Sequence, residues 1–130
     1  MSFVVIEGNA TNDATLREFT SKRTNQPVAI SNVTVAVNDR RYNAETDSWE
    51  DTGKTFYEVT VSGEQAIHFA ASASKGSRLI VAGNLYVEEY RDNENQLRQR
   101  RRISADHHGV SNRYAPARTP AINNQTVSAR

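Results

Sequence analysis

Apolar and polar residues alternate along much of the chain with a period of two. Over Val28–Asn38, Ser31, Val33, Val35 and Val37 share one side, and Asn32, Thr34, Ala36 and Asn38 share the other. That spacing predicts a strand with one face toward a core. Thr55–Ser62 repeats it, with Tyr57, Val59 and Val61 opposite Phe56, Glu58 and Thr60. Arg78–Tyr90 sets Leu79, Val81, Leu85 and Val87 against Ile80, Ala82, Asn84, Tyr86, Glu88 and Tyr90. A last strand from Leu97 to about Asp106 puts Arg98, Arg100 and Arg102 on one face and Leu97, Gln99, Arg101, Ile103 and Ala105 on the other. Phe3–Asn9 is a β-branched run in which Gly8 suits a bulge. One stretch breaks the period. Glu64–Ser74, with Ala66, Ile67, Ala70, Ala71 and Ala73, reads as a short helix, with Ser62 as N-cap and Gly76 closing its far end.

The predicted order is therefore β-β-β-α-β-β, the arrangement of an all-β, five-stranded OB-fold barrel with one helix between the third and fourth strands. Thr20–Pro27 and Arg91–Gln96 read as turns, and the polar, acidic segment Asn43–Lys54 as the exposed tip of a long hairpin. After Gly109 the periodicity stops. Residues 1–109 are expected to form the domain, and 110–130, with two prolines and several Ser, Thr and Asn, a disordered tail.

At 130 residues the length suits a single domain with a real core. The sequence contains no cysteine, which excludes a disulfide framework, a cysteine nucleophile and a zinc-thiolate site. No apolar run approaches the roughly 18–20 residues of a membrane span. The opening Met1-Ser2-Phe3-Val4-Val5-Ile6-Glu7 lacks the basic start of a signal peptide, so a cytoplasmic, nucleoid-associated location is expected, with no membrane partner. The Asn-x-Thr triplets at Asn9, Asn32 and Asn124 then mean little, because glycosylation needs a secreted chain. The formal net charge of +1 conceals an asymmetry: residues 91–130 hold eight basic against three acidic groups. A basic C-terminal third fits either a polyanion partner or a solvated charged face.

The most informative residues are aromatic rings on polar faces: Phe56 beside Glu58 and Thr60, and Tyr86 and Tyr90 beside Asn84 and Glu88. Exposed rings near cations suit single-stranded nucleic acid, because every base offers a flat π-face. They equally suit a subunit interface. The cations available for phosphates are Arg17, Lys22, Arg23, Arg40, Arg41, Lys54, Lys75, Arg78, Arg91, Arg98, Arg100, Arg101 and Arg102. Trp49, among Glu45, Asp47, Glu50 and Asp51, is expected to pack on its own hairpin or on a neighbouring subunit, since the acids repel phosphate. Enzymatic arrangements are weak. The acids cluster in turns, the only histidines are His68, His107 and His108, and Lys75-Gly76 lacks the glycine spacing of a phosphate loop. A non-enzymatic protein without cofactor or metal is expected.

Several segments, in order, resemble bacterial single-stranded DNA-binding proteins: Val5-Ile6-Glu7-Gly8-Asn9 with Leu16-Arg17-Glu18-Phe19, then Asn32–Asn38, then Thr55-Phe56-Tyr57-Glu58-Val59-Thr60-Val61-Ser62-Gly63, then Lys75–Leu85. The likeness covers residues 3–108. It implies coating of single-stranded DNA without sequence preference in replication, recombination and repair, by a homotetramer. It also places base-stacking rings at Tyr42, Phe56 and Tyr90. A further aromatic position of the family falls on Ser62, and an interface histidine falls on Tyr57, so one platform and the usual interface chemistry are missing. The family's acidic C-terminal tip is absent too: the chain ends Asn123–Arg130 with no acid after Asp106, so partners recruited through such a tip are not expected. The competing reading is an OB-fold protein-interaction or replication-restart module that binds nucleic acid weakly.

Overall fold

The computed structural model describes residues 2–116. Its elements are β1 (Ser2–Ala10), β2 (Thr15–Thr20), β3 (Pro27–Asn43), β4 (Ser48–Ser62), α1 (Glu64–Ser72), β5 (Arg78–Arg91) and β6 (Leu97–Val110). The strands run β1-β5-β6-β4-β3-β2, and a further pairing of β1 with β3 closes β1, β5, β6, β4 and β3 into a ring. All pairings are antiparallel except β4 with β6, which run parallel over Glu58–Thr60 and Arg102–Ser104. The expected five-stranded barrel with one helix between its third and fourth strands is thus present.

The strand alternation sorts side chains as the sequence predicts. Val33, Val35, Val59, Val61, Leu79, Val81, Ile103 and Ala105 fill the interior. Ser31 joins them fully buried, and its hydroxyl has no hydrogen-bond partner among the described residues. The helix lays Ala66 and Phe69 into the same core.

Four local expectations are corrected. An additional strand, β2, pairs with the first half of β3 from Thr15↔Asn32 to Thr20↔Pro27; all six of its residues are exposed, so no inward stripe marks it. The bulge expected at Gly8 is absent, since β1 and β5 keep unbroken register through Gly8↔Leu79. Glycine is needed there because β3 crosses close by: a Cβ would strike the Ala36 carbonyl oxygen and lie 2.9 Å from Val35 Cγ1. The register shifts fall instead at Asp39/Arg40 and Ala82/Gly83. At the second, a Cβ on Gly83 would lie 2.8 Å from Ala105 Cα, so the bulge brings two backbones together where only glycine fits. Finally, Gly63 rather than Ser62 is the N-cap of α1, with no side-chain cap. The helix ends at Ser72 with Ala73 as C-cap, so Gly76 serves a later turn.

The final strand is longer than its apolar pattern, reaching Val110, and Ser111 beyond it is buried. The Ser111 amide donates to the Arg78 carbonyl at 2.7 Å and its hydroxyl to Glu7 Oε2 at 3.0 Å. Most of the expected tail, residues 117–130, lies outside the described residues.

Candidate nucleic-acid interface

Even-numbered side chains on β4 from Lys54 onward, on β5 and on the first half of β6 point away from the core, and pairing aligns them in rows. Tyr86 stands opposite Arg102, Glu88 opposite Arg100 and Tyr90 opposite Arg98 across β5 and β6. On the other flank of β6, Glu58 pairs with Arg102, and Phe56 lies two residues earlier on the same face of β4. The three rings expected from the polar-face argument, Phe56, Tyr86 and Tyr90, are therefore brought onto one exposed surface, with relative exposures of 53%, 42% and 37%. Arg98, Arg100 and Arg102 run between them on β6.

The cations of this surface are engaged. Arg100 Nε lies 2.8 Å from Glu58 Oε2, and its Nη1 lies 3.7 Å from Glu88 Oε1. Arg102 Nε lies 3.3 Å from Glu88 Oε1, and its Nη2 is 4.0 Å from Glu58 Oε1. The Arg100 guanidinium also sits 4.4 Å above the Tyr90 ring, a cation–π contact on a ring that stays partly exposed. Arg98 donates to Asp92 Oδ2 at 2.9 Å, and this bond together with the Gln96 amide holds the Asp92 carboxyl below its ordinary range.

The outer row continues along β3 toward the tip of the β3–β4 hairpin. Asn38 pairs with Lys54, Arg40 with Asp51 and Tyr42 with Trp49, and the alternation of β3 keeps Arg40 and Tyr42 on the side of Ala36, which faces Phe56 across the pair. Arg40 Nε lies 3.3 Å from Asp51 Oδ1. Tyr42 and Trp49 meet edge to face at 5.5 Å between centroids. The Tyr42 hydroxyl donates to Asp47, a bond that raises its pKa. Trp49, 62% exposed, therefore packs on its own hairpin as one of the two expected outcomes, and also shares the outer row with Tyr42. Trp49 is not among the rings expected from the sequence; the cue for it is cross-strand pairing, which becomes available once the turn is fixed between Asn43 and Ser48.

Of the other predicted phosphate contacts, Arg78 lines a small pocket together with Asn38, Arg40 and Asp51 of this row, and the rest stand elsewhere. Arg17 is on β2, stacked over Phe19 at 5.4 Å. Arg41 alternates to the other side of β3, opposite Glu50. Arg91 is at the end of β5, where its Nη1 donates to the Asn95 carbonyl at 3.1 Å. Lys75 follows α1 in a loop fixed by its amide donating to Asp13 Oδ1 at 2.8 Å. Arg78 is the most constrained: its Nε donates to Glu7 Oε2 at 2.9 Å, Tyr114 lies across its guanidinium, and the contacts of Arg78 and Ser111 hold the Glu7 carboxyl below its usual range. That cluster joins the end of β6 to β1 and β5.

A cleft of about 820 Å³ opens between the end of α1 and the end of β6, lined by His68, Ser72, Leu79, His108 and Tyr114 among others. It carries none of the stacking rings of the outer face. Burial and the neighbouring His107 depress the His108 pKa. Among the described residues no group of three or more His, Asp or Glu is arranged to hold a metal ion, and no helix is long and apolar enough to cross a membrane.

Comparison with known proteins bears on the family and the fold. Residues 1–111 match the model of the Single-strand binding protein family. The chain is 34% identical over 125 residues to a single-stranded DNA-binding protein of Paenarthrobacter aurescens, covering 94% of this chain and 70% of that one. It is 35% identical over 120 residues to the protein of that name from Corynebacterium glutamicum, covering 90% of this chain and 51% of the other. It thus spans between about half and 70% of the length of these relatives. Among solved structures, a small single-stranded DNA-binding protein from Streptomyces coelicolor superposes with a TM-score of 0.67 at 24% identity, covering 85% of this chain and 94% of that one, which supports the fold.

Proposed function

Because this chain belongs to the single-strand binding protein family, we propose that it coats single-stranded DNA without sequence preference, as a non-enzymatic partner of replication, recombination and repair in the cytoplasm. The observation that carries this reading is the clustering of Phe56, Tyr86 and Tyr90 on one solvated sheet face, away from the core they would otherwise fill. Bases stack on these rings, and on Tyr42 and Trp49 farther along the row, at roughly 1–3 kcal/mol per base whatever the base. Arg98, Arg100, Arg102, Arg40 and Lys54 line the same path and face the phosphates.

Self-association belongs to the same proposal. On the outer face of β1 and β5, Phe3, Val5 and Ile80 are 58%, 65% and 42% exposed. Phe3 pairs with Asn84 and Val5 with Ala82, so the strip is continuous with the sheet yet lies beyond the stacking rings. A second copy covering it would bury apolar surface and leave the aromatic platform open, which suits a homotetramer around which a strand wraps.

The test is a titration of the protein with fluorescent oligo-dT at low and moderate salt, with duplex DNA and oligo-U as competitors. Tight binding that duplex does not displace is the expected result. Equal displacement by duplex, or binding that vanishes at moderate salt, would mean charge without stacking and return the rings to a protein interface.

A further inference from the structure

The arginines that the single-strand reading aims at phosphate are already held by carboxylates. Arg100 and Arg102 project from β6, which lies between β4 and β5 in the sheet. Glu58 reaches them from β4 and Glu88 from β5, and the four contacts close a ring in which each arginine meets both glutamates, at 2.8, 3.7, 3.3 and 4.0 Å. The ring contains two positive and two negative charges. It is flanked on the same face by Phe56, Tyr86 and Tyr90. The side chains of all four residues are 34–48% exposed, so the pairs face solvent and the path of a bound strand.

Exposed ion pairs of this kind contribute little to folding stability. Their effect on binding is larger, because a phosphate must share or displace a carboxylate to reach either guanidinium. The centre of the aromatic face is therefore electrostatically close to neutral. A duplex keeps its bases stacked inside and offers mainly its phosphates, so a neutral face holds it weakly. A single strand brings free bases to the three rings and does not depend on the arginines alone.

We propose that Glu58 and Glu88 are selectivity determinants. By neutralising Arg100 and Arg102 at the centre of the stacking face, they suppress duplex binding more than single-strand binding. This inference rests on the single-strand reading above.

The experiment compares the full chain with E58Q/E88Q, measuring oligo-dT and duplex affinity over a range of salt, with circular dichroism to show that each protein is folded. Glutamine keeps the shape and removes the charge. The double variant is expected to gain several-fold in duplex affinity and less in oligo-dT affinity, so its preference for the single strand falls. Its duplex salt dependence should steepen by about 1–2 in slope, the release expected for up to two further phosphate contacts at roughly 0.9 each. The single variant E88Q, which leaves the 2.8 Å Arg100–Glu58 contact intact, should shift the preference in the same direction by a smaller factor. In the quadruple variant E58Q/E88Q/R100Q/R102Q the duplex gain should disappear. An unchanged or increased single-strand preference in E58Q/E88Q overturns the proposal, as does a duplex gain that persists in the quadruple variant. In either case, oligo-dT binding by the unaltered chain leaves the single-strand reading standing. If the unaltered chain does not bind oligo-dT, both fall together.

Discussion

The hairpin of β5 and β6 is one ribbon with two halves that behave differently. Toward the barrel, Leu79, Val81, Ile103 and Ala105 are buried, and Gly83 lets the two backbones close on each other. Toward the tip the same alternation continues, yet Val87 and Leu97 are 52% and 57% exposed. The difference is not in residue type. Past the closed ring, among the described residues, neither strand of this hairpin pairs with another strand, so an apolar side chain there finds no core to enter. Alternation sets which way a side chain points; closure of the sheet sets whether that direction is an interior. The tip half can therefore hold rings and arginines in solvent because the barrel half supplies the stability.

Substitutions in the two halves should separate folding from binding. Ile103→Ala, in the buried half, should cost about 2–5 kcal/mol in denaturant unfolding, through lost burial and the cavity left behind. Phe56→Ala or Tyr90→Ala, on the stacking face, should weaken oligo-dT binding by about 1–3 kcal/mol with the melting temperature nearly unchanged. Unaltered affinity in a folded variant would remove that ring from the site. Ser31→Ala should be stabilising by about 1 kcal/mol, since it deletes a buried hydroxyl with no partner among the described residues and leaves a void of only one atom. Leu97→Ser, at the same inward parity as Ile103 but near the tip, should change unfolding by no more than about 0.5 kcal/mol.

His108 adds a pH dependence to the barrel half. Its pKa is depressed in the folded protein, chiefly by burial and secondly by His107, from an ordinary value of 6.5. The unfolded chain therefore takes up this proton first as pH falls. Its contribution is fully present above about pH 6.5 and is lost progressively as pH drops from there through the lowered folded value. Thermal melts at stepped pH should show the decline, and His108→Gln should flatten it.

Much of this fold was legible because a period of two is a local property. The inward stripes of β3 and β4 and the outward position of Phe56, Tyr86 and Tyr90 follow from counting along one segment. What the count missed depends on neighbours. The strand β2 has Leu16 and Phe19 at opposite parity and both exposed, so nothing in Thr15–Thr20 announces a face. The strand around Gly8 suggests a bulge, whereas the constraint on it comes from Val35 and Ala36 on β3. The ion-pair ring required the register of β6 against both β4 and β5, and the parallel pairing of β4 with β6 is set by the whole barrel. The arginine stripe was visible; the glutamates that hold it were visible only as neighbours of aromatic rings.

The pairing of β1 has a consequence for how the chain is made. Ser2 lies against Leu85 and Asn9 against Arg78, while its link to β3 is limited to Asn9↔Ala36 and Ala10↔Val35. During synthesis β1 thus waits for a partner that follows it by about 70–80 residues. β3 and β4 can zip into a hairpin meanwhile, but the ring cannot close until both β5 and β6 are free. β1 therefore pairs along most of its length only after strands made later than itself are available, and closure of the barrel depends on contacts far apart in sequence.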